Sequence, residues 1–134
     1  MGKTTANKAL VKAISGAIIT ALVIKIFLFD FMIAEGHSMV PVIKPGTILL
    51  VCKVFYGIRV PGSGNYLARW GSPKPGQVVV FYTPLGEIAV KRCREIVPGN
   101  KFIALGDNTS QSYDSRSYGA VPYDNIIGRV LGIR

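Results

Sequence analysis

The spacing of apolar residues changes once along this chain, a little after residue 25. Before that point residues 13–24 (Ala-Ile-Ser-Gly-Ala-Ile-Ile-Thr-Ala-Leu-Val-Ile) are uncharged, and the run resumes after Lys25 as Ile26-Phe27-Leu28-Phe29. That pattern is of membrane type. The uncharged part is short for a hydrocarbon core of about 30 Å. Lys12 and Lys25 extend it at both ends by reaching toward the headgroups. A cleavable signal peptide is the alternative. No small-x-small site follows Lys25, and Met32-Ile33-Ala34 makes a poor one, so a retained anchor is expected. Lys3, Lys8 and Lys12 then hold the N-terminus inside and place the rest of the chain on the outer face.

Past the anchor, runs rich in Val, Ile and Phe alternate with Gly and Pro, which is strand patterning. Strands are predicted at residues 29–34, 47–54, 77–83, 87–97, 101–105 and 126–133. Thr83-Pro84-Leu85-Gly86 reads as a turn, making residues 77–97 a hairpin. Pro98-Gly99-Asn100 is a second turn. Residues 56–75 are rich in Gly, Ser and Pro and are expected to be a loop, as is the polar stretch 106–125. Loops of that length in a small domain are usually functional or disordered. No repeat and no second helical region stands out. The expected fold class is mainly β: residues 1–28 form a cytoplasmic flank and membrane anchor, and residues 29–134 an extracytoplasmic β domain.

Composition narrows the function. The 134 residues are 49% hydrophobic, which excludes disorder. The net charge is +9, and four of the cations, Lys3, Lys8, Lys12 and Lys25, belong to the anchor. The only other cluster is Lys91-Arg92 with Arg94. No aromatic-interleaved basic stripe is present, so no nucleic-acid partner is expected, and anionic lipid is the simpler one. Cys52 and Cys93 form no CxxC pair and have a single histidine for company, so no metal site is expected. They read as small buried hydrophobes, with a disulfide chemically allowed outside the cytoplasm.

Three stretches carry candidate chemistry. Glu35-Gly36-His37-Ser38-Met39-Val40-Pro41 puts a serine where an apolar strand meets a turn, with Pro41 ending regular pairing. His37 is not its base, because neighbours in an extended chain point to opposite faces. Lys91 is the better candidate. Arg92 and Arg94 share one face of their strand, so Lys91 points the other way with Ala89 and Cys93, toward the interior. Apolar surroundings lower a lysine's pKa and make the neutral amine a competent base. The alternative is that Lys91 is one more cation on a solvated Lys-Arg-x-Arg face. The third stretch, Gly106-Asp107-Asn108-Thr109-Ser110-Gln111-Ser112-Tyr113-Asp114-Ser115-Arg116, offers short polar groups able to hydrogen-bond an amine. It lacks the glycine and closing glutamate of an EF-hand, and a plain surface loop remains the other reading.

Taken in order, these stretches resemble the type I signal peptidases, the Ser-Lys dyad family. Phe27-Leu28-Phe29-Asp30 is similar to that family's anchor-to-domain junction and Gly36-His37-Ser38-Met39-Val40-Pro41 to its serine box. Pro75-Gly76-Gln77-Val78-Val79-Val80-Phe81 is similar to its next strand, Val90-Lys91-Arg92 with Pro98-Gly99 to its lysine box, and residues 106–116 to its last box. The resemblance implies a small signal-peptidase-like β domain whose nucleophile is Ser38 and whose general base is Lys91. It implies that Ser112 positions the lysine amine and that Met39, Asp107, Asn108, Asp114, Ser115 and Arg116 support the site. It implies no cofactor and no metal. Its substrates are the signal peptides of secretory preproteins, cut at the outer face of the cytoplasmic membrane by a single-pass monomer. Gly36 stands where many members carry a hydroxyl for the oxyanion hole, which leaves the Ser38 N–H as main donor. One extra residue between Lys91 and Pro98 predicts a bulge after the lysine, and Thr109-Ser110-Gln111 replaces the usual Arg-Asp-Asn-type run. A conjugation-type Ser-Lys maturation peptidase and a non-catalytic membrane-anchored β domain are the other classes considered.

Overall fold

The computed structural model describes residues 2–60 and 62–133. Met1, Pro61 and Arg134 fall within the expected anchor, first loop and β domain, and lie outside the described residues. Helix α1 spans Gly2–Phe27. At 1.5 Å per residue it is about 39 Å long, enough to cross a bilayer core. Its side chains are exposed all the way round, and an 18-residue stretch within Lys3–Phe27 reaches a mean hydropathy of 2.1. A helix apolar on every side has no core-facing stripe, and this one is long and apolar enough to cross a membrane. It starts inside the lysine flank rather than after it, because Lys, Ala and Leu are all good helix formers.

The helix meets the β part through its C-terminal turn. Lys53 Nζ donates to the Ile26 carbonyl at 2.6 Å, and the Lys53 N–H donates to the Leu28 carbonyl at 2.8 Å. A cation there faces the negative end of the helix dipole.

The remaining chain folds into a curled antiparallel sheet. Its strands are β1 (Phe29–Ile33), β2 (Ile48–Cys52), β3 (Gly57–Arg59), β4 (Tyr66–Arg69), β5 (Val78–Tyr82), β6 (Ile88–Val97), β7 (Lys101–Leu105), β8 (Val121–Pro122) and β9 (Ile126–Ile133). Seven of these pair in the order β1-β2-β9-β5-β6-β7-β8, and β3 and β4 form a separate hairpin. β5 reads as an unbroken apolar run because it separates two cores. Val79 and Phe81 enter one with Cys93, Phe102, Ala104 and Ile126. Val78 and Val80 enter the other with Ala34, Met39, Ile43, Leu49 and Val51. Alternating side chains along a strand produce that division.

The 77–97 hairpin is present as β5 and β6, in register from Val78 opposite Arg92 to Tyr82 opposite Ile88. The register slips between Cys93 and Glu95, so the bulge expected after Lys91 is there, with Arg94 left unpaired. Two expectations need correction. The stretch 56–75 is not simply a loop, since it contains β3 and β4. Arg59 holds that hairpin to the body by donating to the carbonyls of Asp124 and Ile126, and the Tyr66 hydroxyl donates to the Ile126 carbonyl. The stretch 106–125 likewise contains a one-turn helix α2 (Ser115–Tyr118), strand β8 and a 3-10 turn at Tyr123–Asn125. Cys52 and Cys93 are buried and free.

Candidate active site

Ser38 sits where β1 has run out and a tight turn begins. Ala34 still pairs, its N–H donating to the Thr47 carbonyl at 2.9 Å. Gly36 then takes φ of 73°, a left-handed conformation that side chains resist. A Cβ there would meet nothing within 4 Å, so glycine is needed for its backbone freedom alone. Past the serine, Ile43 N–H donates to the Met39 carbonyl, and Met39 and Ile43 sink into the second core. Met39 thus ties the turn down while Ser38 stays half-exposed.

Lys91 comes from the opposite wall. It pairs with Val79 in β5 and shares its face with Ala89 and Cys93, toward the first core. Strand β7 does not begin to pair until Arg92, so residues 88–91 have one open edge. β1 is an edge strand with its outer side unpaired among the described residues. Between these two open edges lies a groove of about 510 Å³, lined by Gly36, Ser38, Met39 and Lys91 among others. Lys91 is 6% exposed. Burial pushes its pKa down from the ordinary lysine value, the nearby Asp114 carboxylate opposes the shift and the Arg116 guanidinium adds to it. No hydrogen bond or ion pair ties its amine to any described residue.

The 106–116 stretch holds both walls together. Asn108 N–H donates to the Ser38 carbonyl at 2.9 Å and Asn108 Nδ2 donates to the His37 carbonyl at 3.0 Å. Arg92 Nε and Nη2 donate to the two oxygens of Asp107 at 2.8 and 2.7 Å, and Arg92 Nη1 reaches the Gly76 carbonyl. This bidentate pair fastens the stretch to the strand carrying Lys91. Asp114 is fully buried. Burial by itself would raise its pKa, but hydrogen bonds from the Arg116 side chain and from the Gly106 N–H hold it below the usual carboxylate range. Asp114 also caps α2 by accepting from the Arg116 N–H, and Ser115 Oγ accepts from the Ala104 N–H at 2.9 Å.

Gly106 is the tightest point of the assembly. A Cβ built there would collide with Ser112 Oγ and lie 2.5 Å from the Ser38 carbonyl oxygen. Ser112 is therefore packed beside the backbone of Ser38. Its Oγ is buried, makes no hydrogen bond of good geometry, and lies close enough to the Asp114 carboxylate to help lower that group's pKa. The Ser38 N–H also lacks an acceptor among the described residues. The groove is thus bordered by the unpaired Lys91 amine and by Ser38, whose N–H is free to donate. His37 has its side chain exposed and enters this network only through its carbonyl.

Two residues of this network had no role assigned from sequence. Arg92 shares its strand face with Arg94, yet it is half-buried against Asp107. Gly106 stands in the sequence only as the first residue of the 106–116 stretch. A glycine directly before Asp-Asn, with no turn type demanding it, was the available sign of a close approach. Gln111 and Tyr113 also border the groove.

Comparison with known proteins identifies relatives of this chain. The family described as signal peptidase, peptidase S26, matches residues 7–94 and 87–133. Signal peptidase I of Leptolyngbya laminosa is 27% identical over 154 residues, covering 90% of this chain and 76% of that protein. Signal peptidase I of Buchnera aphidicola subsp. Baizongia pistaciae is 35% identical over 86 residues, 63% of this chain and 27% of that protein. Probable signal peptidase I-2 of Synechocystis is 28% identical over 151 residues, 90% of this chain and 69% of the relative.

Proposed function

Since the chain belongs to the signal peptidase family, peptidase S26, we propose that it is a membrane-anchored endopeptidase that removes signal peptides from exported preproteins, with Ser38 as nucleophile and Lys91 as general base. The observation that carries this reading is Lys91, 6% exposed and without a bonding partner, bordering the same groove as Ser38. A lysine on a solvated face would not be buried in this way.

The substrate lies extended between the open edges of β1 and residues 88–91, adding itself as a strand. Ser38 Oγ attacks the scissile carbonyl carbon and its proton passes to the neutral Lys91 amine. The oxyanion accepts from the Ser38 N–H. The carbon–nitrogen bond then breaks, and Lys91 returns the proton to the departing amine. Water attacks the resulting ester, Lys91 takes its proton, and Ser38 leaves reprotonated. Ser112 donates to the amine of Lys91 and aims it at Ser38. Asp114 and Arg116 hold the segment bearing Ser112. In this reading the helix α1 is the anchor, the N-terminus faces the cytoplasm and the β part works on the outer face.

The test is to incubate the purified chain in detergent with a preprotein and identify the products by mass spectrometry. One cut after a small residue at the signal-peptide junction is expected. Ser38→Ala and Lys91→Ala should each abolish it while melting like the parent. Processing by either folded variant would overturn the assignment.

A further inference from the structure

A second cavity, of about 460 Å³, lies where the last turn of α1 meets β1, the residue after β2, β3 and β5. Sites for small ligands usually measure about 300–1,000 Å³. Ile26 and Phe27, the final two residues of α1, line it. With α1 across a bilayer, a cavity at this end of the helix lies in the headgroup layer, whichever way the helix points.

Two cations from different elements line the cavity, Lys53 and Arg59. Lys53 Nζ donates to the Ile26 carbonyl at 2.6 Å, which holds the ammonium at the helix end. Arg59 Nη1 donates to the carbonyls of Asp124 and Ile126 at 2.7 and 2.6 Å. The Arg59 guanidinium also lies over the rings of Tyr66 and Tyr82, 5.1 and 5.8 Å from their centroids. These partners orient both side chains without neutralising either. Neither cation makes an ion pair among the described residues. Asp30 is the only carboxylate among the described residues lining the cavity, and it accepts from the neighbouring Phe31 N–H. Two held cations against one carboxylate leave the cavity positive.

We infer that this cavity binds the phosphate group of a membrane phospholipid, with Lys53 and Arg59 as its cations. A guanidinium and an ammonium converging on one cavity are the usual complement of a phosphate. Its place at the end of α1 favours lipid over soluble phosphate, since basic pockets beside membrane helices take anionic headgroups. Lys25, in the last turn of α1, adds a third cation at the same level. Ile26, Phe27 and Met32 supply apolar lining for the glycerol and the first methylenes. Met32 and Ile88 line both this cavity and the groove of Ser38 and Lys91, so the two adjoin, and a lipid held here keeps the groove beside the bilayer surface. The inference rests on α1 being the anchor and does not draw on the Ser38–Lys91 chemistry.

The experiment uses the full chain in a non-ionic detergent. Dioleoyl phosphatidylglycerol, or an uncharged galactosyl diacylglycerol with the same acyl chains, is titrated in, and retained lipid is counted by native mass spectrometry. The phospholipid should be retained at a concentration roughly fivefold lower than the glycolipid. Lys53→Gln keeps a donor for the Ile26 carbonyl and should bring the two lipids close to parity, whereas Lys53→Arg should keep the preference. Lys101→Gln removes the same charge from an exposed position on β7 and should change nothing. Equal retention of both lipids by the parent protein, an unchanged preference in Lys53→Gln, or an equal loss in Lys101→Gln overturns the site. Inorganic phosphate that raises the melting temperature as much as phosphatidylglycerol does, at the same concentration, overturns the lipid assignment. No arm reads cleavage, so failure of the peptidase reading shows only in the preprotein assay and leaves these outcomes unaffected.

Discussion

The backbone N–H of Asn108 donates to the carbonyl of Ser38 at 2.9 Å, and the same residue's Nδ2 donates to the preceding carbonyl, of His37, at 3.0 Å. One residue thus grips two successive peptide groups at the candidate nucleophile, from a segment about seventy positions away in sequence. Asn108→Ala removes the side-chain half of the grip. A loss of about 1 kcal/mol in stability is expected. Cleavage should fall further than stability, on the order of tenfold, because small misplacements of a reacting group are costly. Denaturant melts and kcat/KM measured on one preparation check this. Unchanged kcat/KM would show that the grip does not position Ser38.

Gly106→Ala tests the close approach beside it. The new methyl group is directed at Ser112 Oγ and the Ser38 carbonyl, so one of them has to move. Activity is expected to drop at least a hundredfold, with a folded protein of lower melting temperature. Near-parental activity would mean that neither Ser112 nor the Ser38 turn is held as described.

Much of this was legible in advance, and the physical reasons differ by element. Alternation along residues 89–93 set Lys91 apart from Arg92 and Arg94, because a strand buried on one side writes its orientation into every second residue. The apolar run of α1 and the turn at residues 83–86 were equally plain. The β3–β4 hairpin was not. Gly57, Gly62 and Gly64 dilute its pattern, its register slips between Ile58 and Arg59, and its attachment depends on Arg59 reaching carbonyls beyond residue 120. Helix α2 is a single turn, too short to show a period, and is recognisable only by its Asp114 cap. The Arg92–Asp107 pair escaped notice because a face inferred from alternation says nothing about which loop later covers it.

The pairing of Asp114 predicts how the site responds to acid. Its folded pKa is depressed, so its contribution to stability is present above the unfolded carboxylate value of about 3.9 and is lost as pH falls through the lower folded value. Asp114→Asn removes that contribution. Thermal melts across pH should show the variant furthest below the parent near neutral pH, with the gap closing in acid. A gap independent of pH would contradict the ionised, Arg116-paired carboxylate.

The lysines of α1 predict an orientation across the membrane. Lys3, Lys8 and Lys12 are expected to hold the N-terminus on the cytoplasmic side and leave residues beyond about 30 outside. Protease added to intact spheroplasts of an expressing host should digest the β part. Protection there that is lost only on lysis would mean the opposite orientation.

The pH dependence of kcat/KM bears most directly on Lys91 as the base. The free side chain titrates at about 10.4 and would hold very little neutral amine near pH 7. Burial at 6% exposure lowers that value, against the pull of Asp114. The acid limb should therefore report a group well below the free-lysine value and reach a plateau in the mildly alkaline range. His37 is the one histidine in the chain and is the confounding group. In His37→Ala the limb should survive unchanged. A limb that vanishes in that variant, or activity that climbs to pH 10 without a plateau, would contradict the buried-lysine mechanism.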